Sequence, residues 1–386
     1  MIRNVVGILL ASQALRGLGY GVAAVQLGVI LRADGLSPAE VGLVLAAVLA
    51  GTFASSLALA RWADRVGRRR TYAALYGALT CCGIVIAAGA PMWLLAAVVM
   101  TGALSVEVIE SGPFTTLEQV MLAGTGRPRR EVVRGFGLYN AVAAAAGTLG
   151  ALLGALPADR RLLGGVLIVA GVAGAALAAL LPASVEAPAT GLTRPRLLAR
   201  SRGWVARLAA LFAADSLAGG FVVQAYIGYW LSVRYGATTQ TIGITFAALG
   251  VLQTASLLAA PVVAGRIGLL RTMVFTHLPS NLLLAAVPFA PALPWAIALL
   301  LARACLSQMD VPTRQAYVMA LVPAEERTAA AAVTNTARYF TRPAGPALAG
   351  LLLPLGLALP FVIAGVAKTG YDLTLWRIFR SVRLPS

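Results

Sequence analysis

Charge is what this chain has least of: 12% of its 386 residues are charged, against 59% hydrophobic. Soluble domains carry about 25% charged residues, so this chain lacks the polar surface needed to cover itself in water. Soluble enzymes and disordered chains are excluded together. Cysteine is scarce too. Cys81, Cys82 and Cys305 sit inside apolar runs, and adjacent Cys81 and Cys82 are poorly placed to bond each other, so neither a disulfide framework nor a metal-ligand spacing is read. The single histidine, His277, has no Cys, Asp or Glu near it in sequence and reads as a tolerated polar residue; no metal and no cofactor are expected. No separate signal peptide is read, because the apolar run from Val5 is long enough to span a membrane.

What the chain has instead is hydrophobic length. At about 20 apolar residues per crossing, its length accommodates on the order of twelve helical spans. Hydropathy and breakers place them near 5–31, 39–60, 71–89, 92–113, 133–156, 161–181, 206–231, 241–263, 272–290, 293–314, 329–353 and 356–376. An all-α integral membrane protein is therefore predicted. The Pro- and Arg-rich stretch 182–204 falls near mid-chain and reads as a cytoplasmic linker between two six-helix bundles, 1–181 and 205–386.

The two halves are related. An ungapped shift of 201 residues sets Gly35 on Gly236, Gly42 on Gly243, and "ADRVGRRR" (63–70) on "AGRIGLLR" (264–271). With small loop adjustments Pro113 meets Pro312, Asn140 meets Asn335 and Gly150 meets Gly345. Six crossings return a chain to its starting side, so the repeats run parallel, as in one large class of secondary transporters.

The loop "ARWADRVGRRR" (60–70) resembles the signature between spans 2 and 3 of the major facilitator superfamily (MFS), through Asp64, Arg65, Gly67, Arg68 and Arg69; Ala60 stands where the signature has its first Gly. The resemblance implies a twelve-span fold of two pseudo-symmetric six-helix bundles that rock about a central cavity, with this loop making ionic contacts that hold the cytoplasmic gate. The residues themselves agree: Gly67 permits a tight turn, and the charges sit at helix ends where they can pair with neighbours or helix dipoles.

The net charge of +17 reads as orientation. With a cytoplasmic amino terminus, 21 basic residues lie on the cytoplasmic side and four (Arg32, Arg160, Arg161 and Arg234) on the other. Both termini are expected in the cytoplasm, with the protein multi-pass in the plasma (inner) membrane. The basic clusters are short and isolated, so no nucleic-acid partner is expected.

Charges left inside the spans each cost at least about 2.5–3.5 kcal/mol at the bilayer centre, which makes them candidates for function. Span 1 carries Gln13, Arg16 and Tyr20 on one helical face. Glu107 and Glu110 on span 4, one turn apart, read as a coupled carboxylate pair suited to binding and releasing a proton. Span 7 places Asp215, Gly219, Tyr226 and Tyr229 on one stripe, span 10 groups Arg303, Ser307, Asp310 and Arg314, and span 11 aligns Asn335, Arg338 and Arg342 ahead of "PAGPALAG" (343–350), whose prolines should bend the helix. In the resembled family spans 1, 4, 7 and 10 line the transport pathway. Glu118 and Asp372, near span ends, read as interfacial. The antiporter-like Gly-Pro pattern lies on span 11 rather than span 5, where the family carries it.

The expected function is a secondary transporter of a small organic solute working by alternating access, proton-coupled and exporting. The alternative is uptake or exchange of a small organic anion held by Arg16, Arg303, Arg338 and Arg342. The expected partners are the lipid bilayer, the solute and protons, with the carrier acting as a monomer. A membrane enzyme or a non-transporting sensor lacks support, since no activated nucleophile or metal cluster is evident.

Overall fold

The structure is a computed structural model and describes residues 2–107, 112–123, 129–186, 198, 200–323 and 326–382. Among the described residues every regular element is helical. The helices in chain order are α1 (Ile2–Ala33), α2 (Pro38–Val66), α3 (Arg68–Ala87), α4 (Met92–Val99), α5 (Gly112–Ala123), α6 (Arg129–Leu153), α7 (Arg160–Ala179), α8 (Arg202–Gly220), α9 (Gln224–Tyr235), α10 (Thr239–Ile267), α11 (Leu269–Ala286), α12 (Leu293–Ser307), α13 (Asp310–Leu321), α14 (Arg327–Thr341), α15 (Ala344–Leu352) and α16 (Leu359–Phe379).

These helices account for the twelve expected spans, but four spans are broken. Span 4 comprises α4 and α5, and residues 100–107 after α4 are not helical. Span 7 is α8 and α9, interrupted at Phe221–Val223; span 10 is α12 and α13, interrupted at Gln308–Met309. Span 11 divides into α14 and α15 at Arg342 and Pro343, where proline removes a backbone donor and crowds the preceding turn. Seven described segments are long and apolar enough to cross a bilayer on length and composition alone, among them Arg202–Tyr235, which contains the break in span 7. The pieces of spans 4, 10 and 11 miss that standard by length, and α16 carries Lys368, Asp372 and Arg377.

The repeat is visible in the backbone. Gly67 joins α2 to α3 as a one-residue connection at φ +100°, and Gly268 joins α10 to α11 in the same way at φ +89°. Gly35 (φ +79°) follows α1 and Gly236 (φ +65°) follows α9. Only glycine takes such conformations without a Cβ penalty, so the aligned glycines mark equivalent turns.

Two compact units are distinguished. The first comprises 1–191 with 223–250, and the second 192–222 with 251–386. In the first unit, glycines on α6 let α1 approach to backbone contact. A Cβ at Gly150 would lie 2.9 Å from the Leu18 carbonyl carbon and 3.0 Å from Gly21 Cα. α3 and α7 meet similarly at Gly83 and Gly164. In the second unit Gly220 and Gly345 hold α8 against α15. Small residues of this kind give helices close packing where lipid supplies no hydrophobic drive.

The outward faces are apolar. On α10, Ile244, Val251 and Leu258 recur every seven residues, all exposed, and Val169 and Val172 project from α7. Arg16, Glu118, Asp215 and Asp372 are buried instead, an arrangement that suits lipid rather than water as the solvent.

Candidate functional site

In the first unit one fully buried polar cluster brings four helices together. Arg16 on α1 and Glu118 on α5, both at 0% exposure, form a forked ion pair, with Nη1 donating to Oε1 at 2.9 Å and Nη2 to Oε2 at 2.7 Å. Tyr72 on α3 donates its hydroxyl to Glu118 Oε1, and Tyr139 on α6 donates to Oε2. Tyr76, one turn beyond Tyr72, accepts from Arg16 Nη1 at 3.2 Å and donates to the Ser12 carbonyl at 3.2 Å. Gln13 Oε1 accepts from Arg16 Nη2, and the Phe114 ring lies 4.6 Å from the guanidinium carbon, close enough for a cation–π contact. Tyr20 completes the expected span 1 face by donating to the Ala103 carbonyl at 2.6 Å, which anchors the non-helical stretch of span 4.

Glu118 thus receives four donors. Arg16 and Glu118 are joined through both carboxylate oxygens by charge-assisted hydrogen bonds, the stronger kind. Among the described residues the fully buried carboxylate of span 4 is Glu118 rather than Glu107. Glu107 lies in the non-helical stretch, where the Ser105 hydroxyl bridges its backbone at 3.0 Å, so the helical spacing assumed for the pair does not hold at that residue. Glu110 is outside the described residues. The interfacial reading of Glu118 is overturned by its burial: the break in span 4 delays α5, so Glu118 falls in mid-helix rather than past the span's end.

The second unit holds its own network. Asp215 on α8 pairs with Lys368 on α16 at 2.6 Å, and Asp310 pairs with Arg314 across one turn of α13 at 2.8 Å. Arg303 on α12 lies within electrostatic reach of Asp310 and Asp215, and the Arg314 guanidinium carbon is 5.6 Å from the Phe212 ring. Ser307 bonds only its own helix, through the Ala304 carbonyl at 3.5 Å. Arg338 is buried on α14, and Arg342 sits at the α14–α15 junction. Asp372, read as interfacial, is fully buried and meets His277. Sequence distance hid this pair, since His277 and Asp372 lie on α11 and α16.

The single stripe expected on span 7 does not form. The break at Phe221–Val223 ends α8 after Asp215 and Gly219, whereas Tyr226 and Tyr229 lie on α9, buried, with ring centroids 6.1 Å apart.

At the signature loop, the backbone N–H groups of Arg68 and Arg69 donate to the Glu186 carboxylate at 2.6 and 3.0 Å, a carboxylate capping the amino end of α3. Arg68 Nη1 donates to the Val185 carbonyl at 3.2 Å, and Arg69 Nη2 to the Ala179 carbonyl at 2.8 Å. The loop is therefore tied to the segment that follows α7. The side chains of Asp64 and Arg65 lie outside what is described.

Apolar outer faces around buried ion pairs, on broken and glycine-packed helices, define a multi-pass membrane transporter rather than an enzyme. The chain belongs to the Major Facilitator Superfamily, whose family model matches residues 9–346. An uncharacterized membrane protein of Saccharomyces cerevisiae, YJR124C, is 24% identical, with 97% of this chain and 94% of the yeast protein covered. Among solved structures, a bacterial homolog of the human lysosomal transporter Spinster in an inward-facing, occupied conformation superposes with a TM-score of 0.75 at 15% identity, covering 99% of this chain and 98% of that one. The nucleoside transporter NupG gives 0.77 at 13% identity, covering 98% and 100%. A D-xylose–proton symporter gives 0.73 at 15% identity, covering 96% and 97%. At these identities the structural likeness establishes the fold.

Proposed function

We propose that this protein is a proton-coupled secondary transporter of a small organic solute in the plasma membrane, with both termini cytoplasmic, working by alternating access of the halves 1–181 and 205–386. The observation that carries the coupling is the Arg16–Glu118 pair: a carboxylate at 0% exposure that accepts hydrogen bonds from one guanidinium and two tyrosine hydroxyls. Glu118 is the proton acceptor, and Arg16 is the partner it releases. That one structural relative is a proton symporter supports the reading. Export of an amphipathic solute is the direction assigned.

A second reading, exchange or uptake of a small organic anion, is favoured by the way both terminal nitrogens of Arg16 already grip a carboxylate, at 2.9 and 2.7 Å. A protonated Glu118 leaves that fork to a solute carboxylate or phosphate.

The test begins with a thermal-stabilisation screen of metabolites and amphipathic drugs against the purified protein, followed by flux of the hits in proteoliposomes. Flux driven by an imposed pH gradient is expected. Flux indifferent to the gradient rejects proton coupling, and binding without any flux rejects solute transport.

A further inference from the structure

A second titratable cluster lies in the second unit and takes no part in the Arg16–Glu118 chemistry. His277 and Asn281 stand one turn apart on α11, facing Asp372 on α16. His277 Nδ1 lies 2.9 Å from Asp372 Oδ1, Asn281 Nδ2 lies 2.9 Å from Asp372 Oδ2, and Asn281 Nδ2 is also 3.1 Å from His277 Nδ1. All three side chains are buried.

The donor and acceptor count at Nδ1 is the informative feature. That atom carries either a hydrogen or a lone pair, yet it faces a carboxyl oxygen and an amide nitrogen together. With a hydrogen on Nδ1, the bond to Asp372 forms and the second Asn281 N–H is left facing another N–H. With a lone pair on Nδ1, that single pair accepts either from Asn281 or from a proton carried on Asp372 Oδ1. Both arrangements keep the Asn281-to-Oδ2 bond. They differ in whether the proton between ring and carboxyl rests on nitrogen or oxygen, and a proton gained or lost at the ring moves the pair between them.

We propose that His277, Asn281 and Asp372 form a proton-binding site in the second unit, holding one exchangeable proton between imidazole and carboxyl. No bond other than those to hydrogen changes. Asn281 orients the carboxyl through Oδ2 and is a positioning residue; its own Oδ1 is buried without a hydrogen-bond partner.

The charged groups facing this site come from every helix packed about it. Asp215 on α8 and Lys368 on α16 act on Asp372, and His277 acts in turn on Asp215. Arg314 and Asp310 on α13 reach Tyr371, whose ring meets the His277 ring edge-on at 6.0 Å, and Arg303 on α12 acts on Asp215. Proton occupancy at His277–Asp372 is therefore felt at the Asp215–Lys368 pair, which ties α8 to α16. The site does not depend on coupling at Glu118, so it stands or falls separately from the transport reading.

Because the chain has one histidine, its ring nitrogens give an unambiguous signal. The experiment is a pH titration, followed by 15N NMR, of ring-labelled full-length protein without a histidine tag in lipid nanodiscs, comparing wild type with Asp372→Asn. Ring signals that titrate, with a midpoint displaced by about one pH unit or more in Asp372→Asn, support the site. A smaller displacement, or a wild-type ring that does not titrate between about pH 4 and about pH 10, overturns it. Should Asp372→Asn not fold, Asn281→Leu is read by the same criterion, since it removes the donor that orients the carboxyl.

Discussion

Replacing Glu118 by Ala removes the carboxylate at the centre of the first-unit cluster. Arg16 Nη1 and Nη2 lose contacts of 2.9 and 2.7 Å, and the Tyr72 and Tyr139 hydroxyls lose their carboxylate. Arg16 then keeps Gln13, the tyrosine oxygens and the Phe114 face as partners, at 0% exposure. Breaking a buried pair from one side costs about 3–5 kcal/mol, a large part of the roughly 5–15 kcal/mol that holds a folded domain together. An internal control exists in Asp34, whose pair with Arg160 is partly exposed, at 23% and 40% of the two side chains. Asp34→Ala should cost no more than about 1 kcal/mol. Glu118→Gln, which keeps an acceptor oxygen, should fall between the two. The assay is equilibrium unfolding in mixed detergent with Trp fluorescence. If Glu118→Ala costs no more than Asp34→Ala, the buried cluster does not hold α1, α3, α5 and α6 together as described.

Other consequences follow from the same geometry. Lys368→Met leaves Asp215 buried without its 2.6 Å partner and should cost about 3–5 kcal/mol in the same unfolding assay, most of it recovered when Asp215→Asn is added. Gly150→Ala drives a methyl group into the backbone of α1 at Leu18 and Gly21 and should cost about 1–3 kcal/mol, seen as a lowered melting temperature of the purified protein. Glu186→Ala removes the carboxylate from the Arg68 and Arg69 N–H groups; about 1 kcal/mol of cap stability should disappear, with hydrogen exchange at those amides roughly fivefold faster.

The architecture was legible because the bilayer forces it: a chain this poor in charge can only be read as spans, and the 201-residue repeat is written in glycines whose positive φ no other residue takes easily. That Gln13, Arg16 and Tyr20 share one face was legible for a related reason, since a span 1 helix that runs unbroken to Ala33 obeys helical periodicity. The site failed to show where helices break. Periodicity carried Glu107 and Glu110 onto one face and joined Asp215 to Tyr226, because nothing in the apolar pattern marks the non-helical stretch after α4 or the interruption at Phe221–Val223. Partners across helices were hidden as well. Glu118 with Arg16, Lys368 with Asp215, and His277 with Asp372 are each separated by about a quarter of the chain or more, a relation that local spacing cannot carry.

In the function proposed above, Glu118 couples the proton to solute movement. Counterflow and gradient-driven flux in one proteoliposome preparation separate coupling from binding, because exchange of labelled for unlabelled solute needs no net proton transfer. The account predicts that Glu118→Gln retains counterflow but no longer responds to an imposed pH gradient. Gradient-driven flux preserved at the wild-type rate in Glu118→Gln would contradict it.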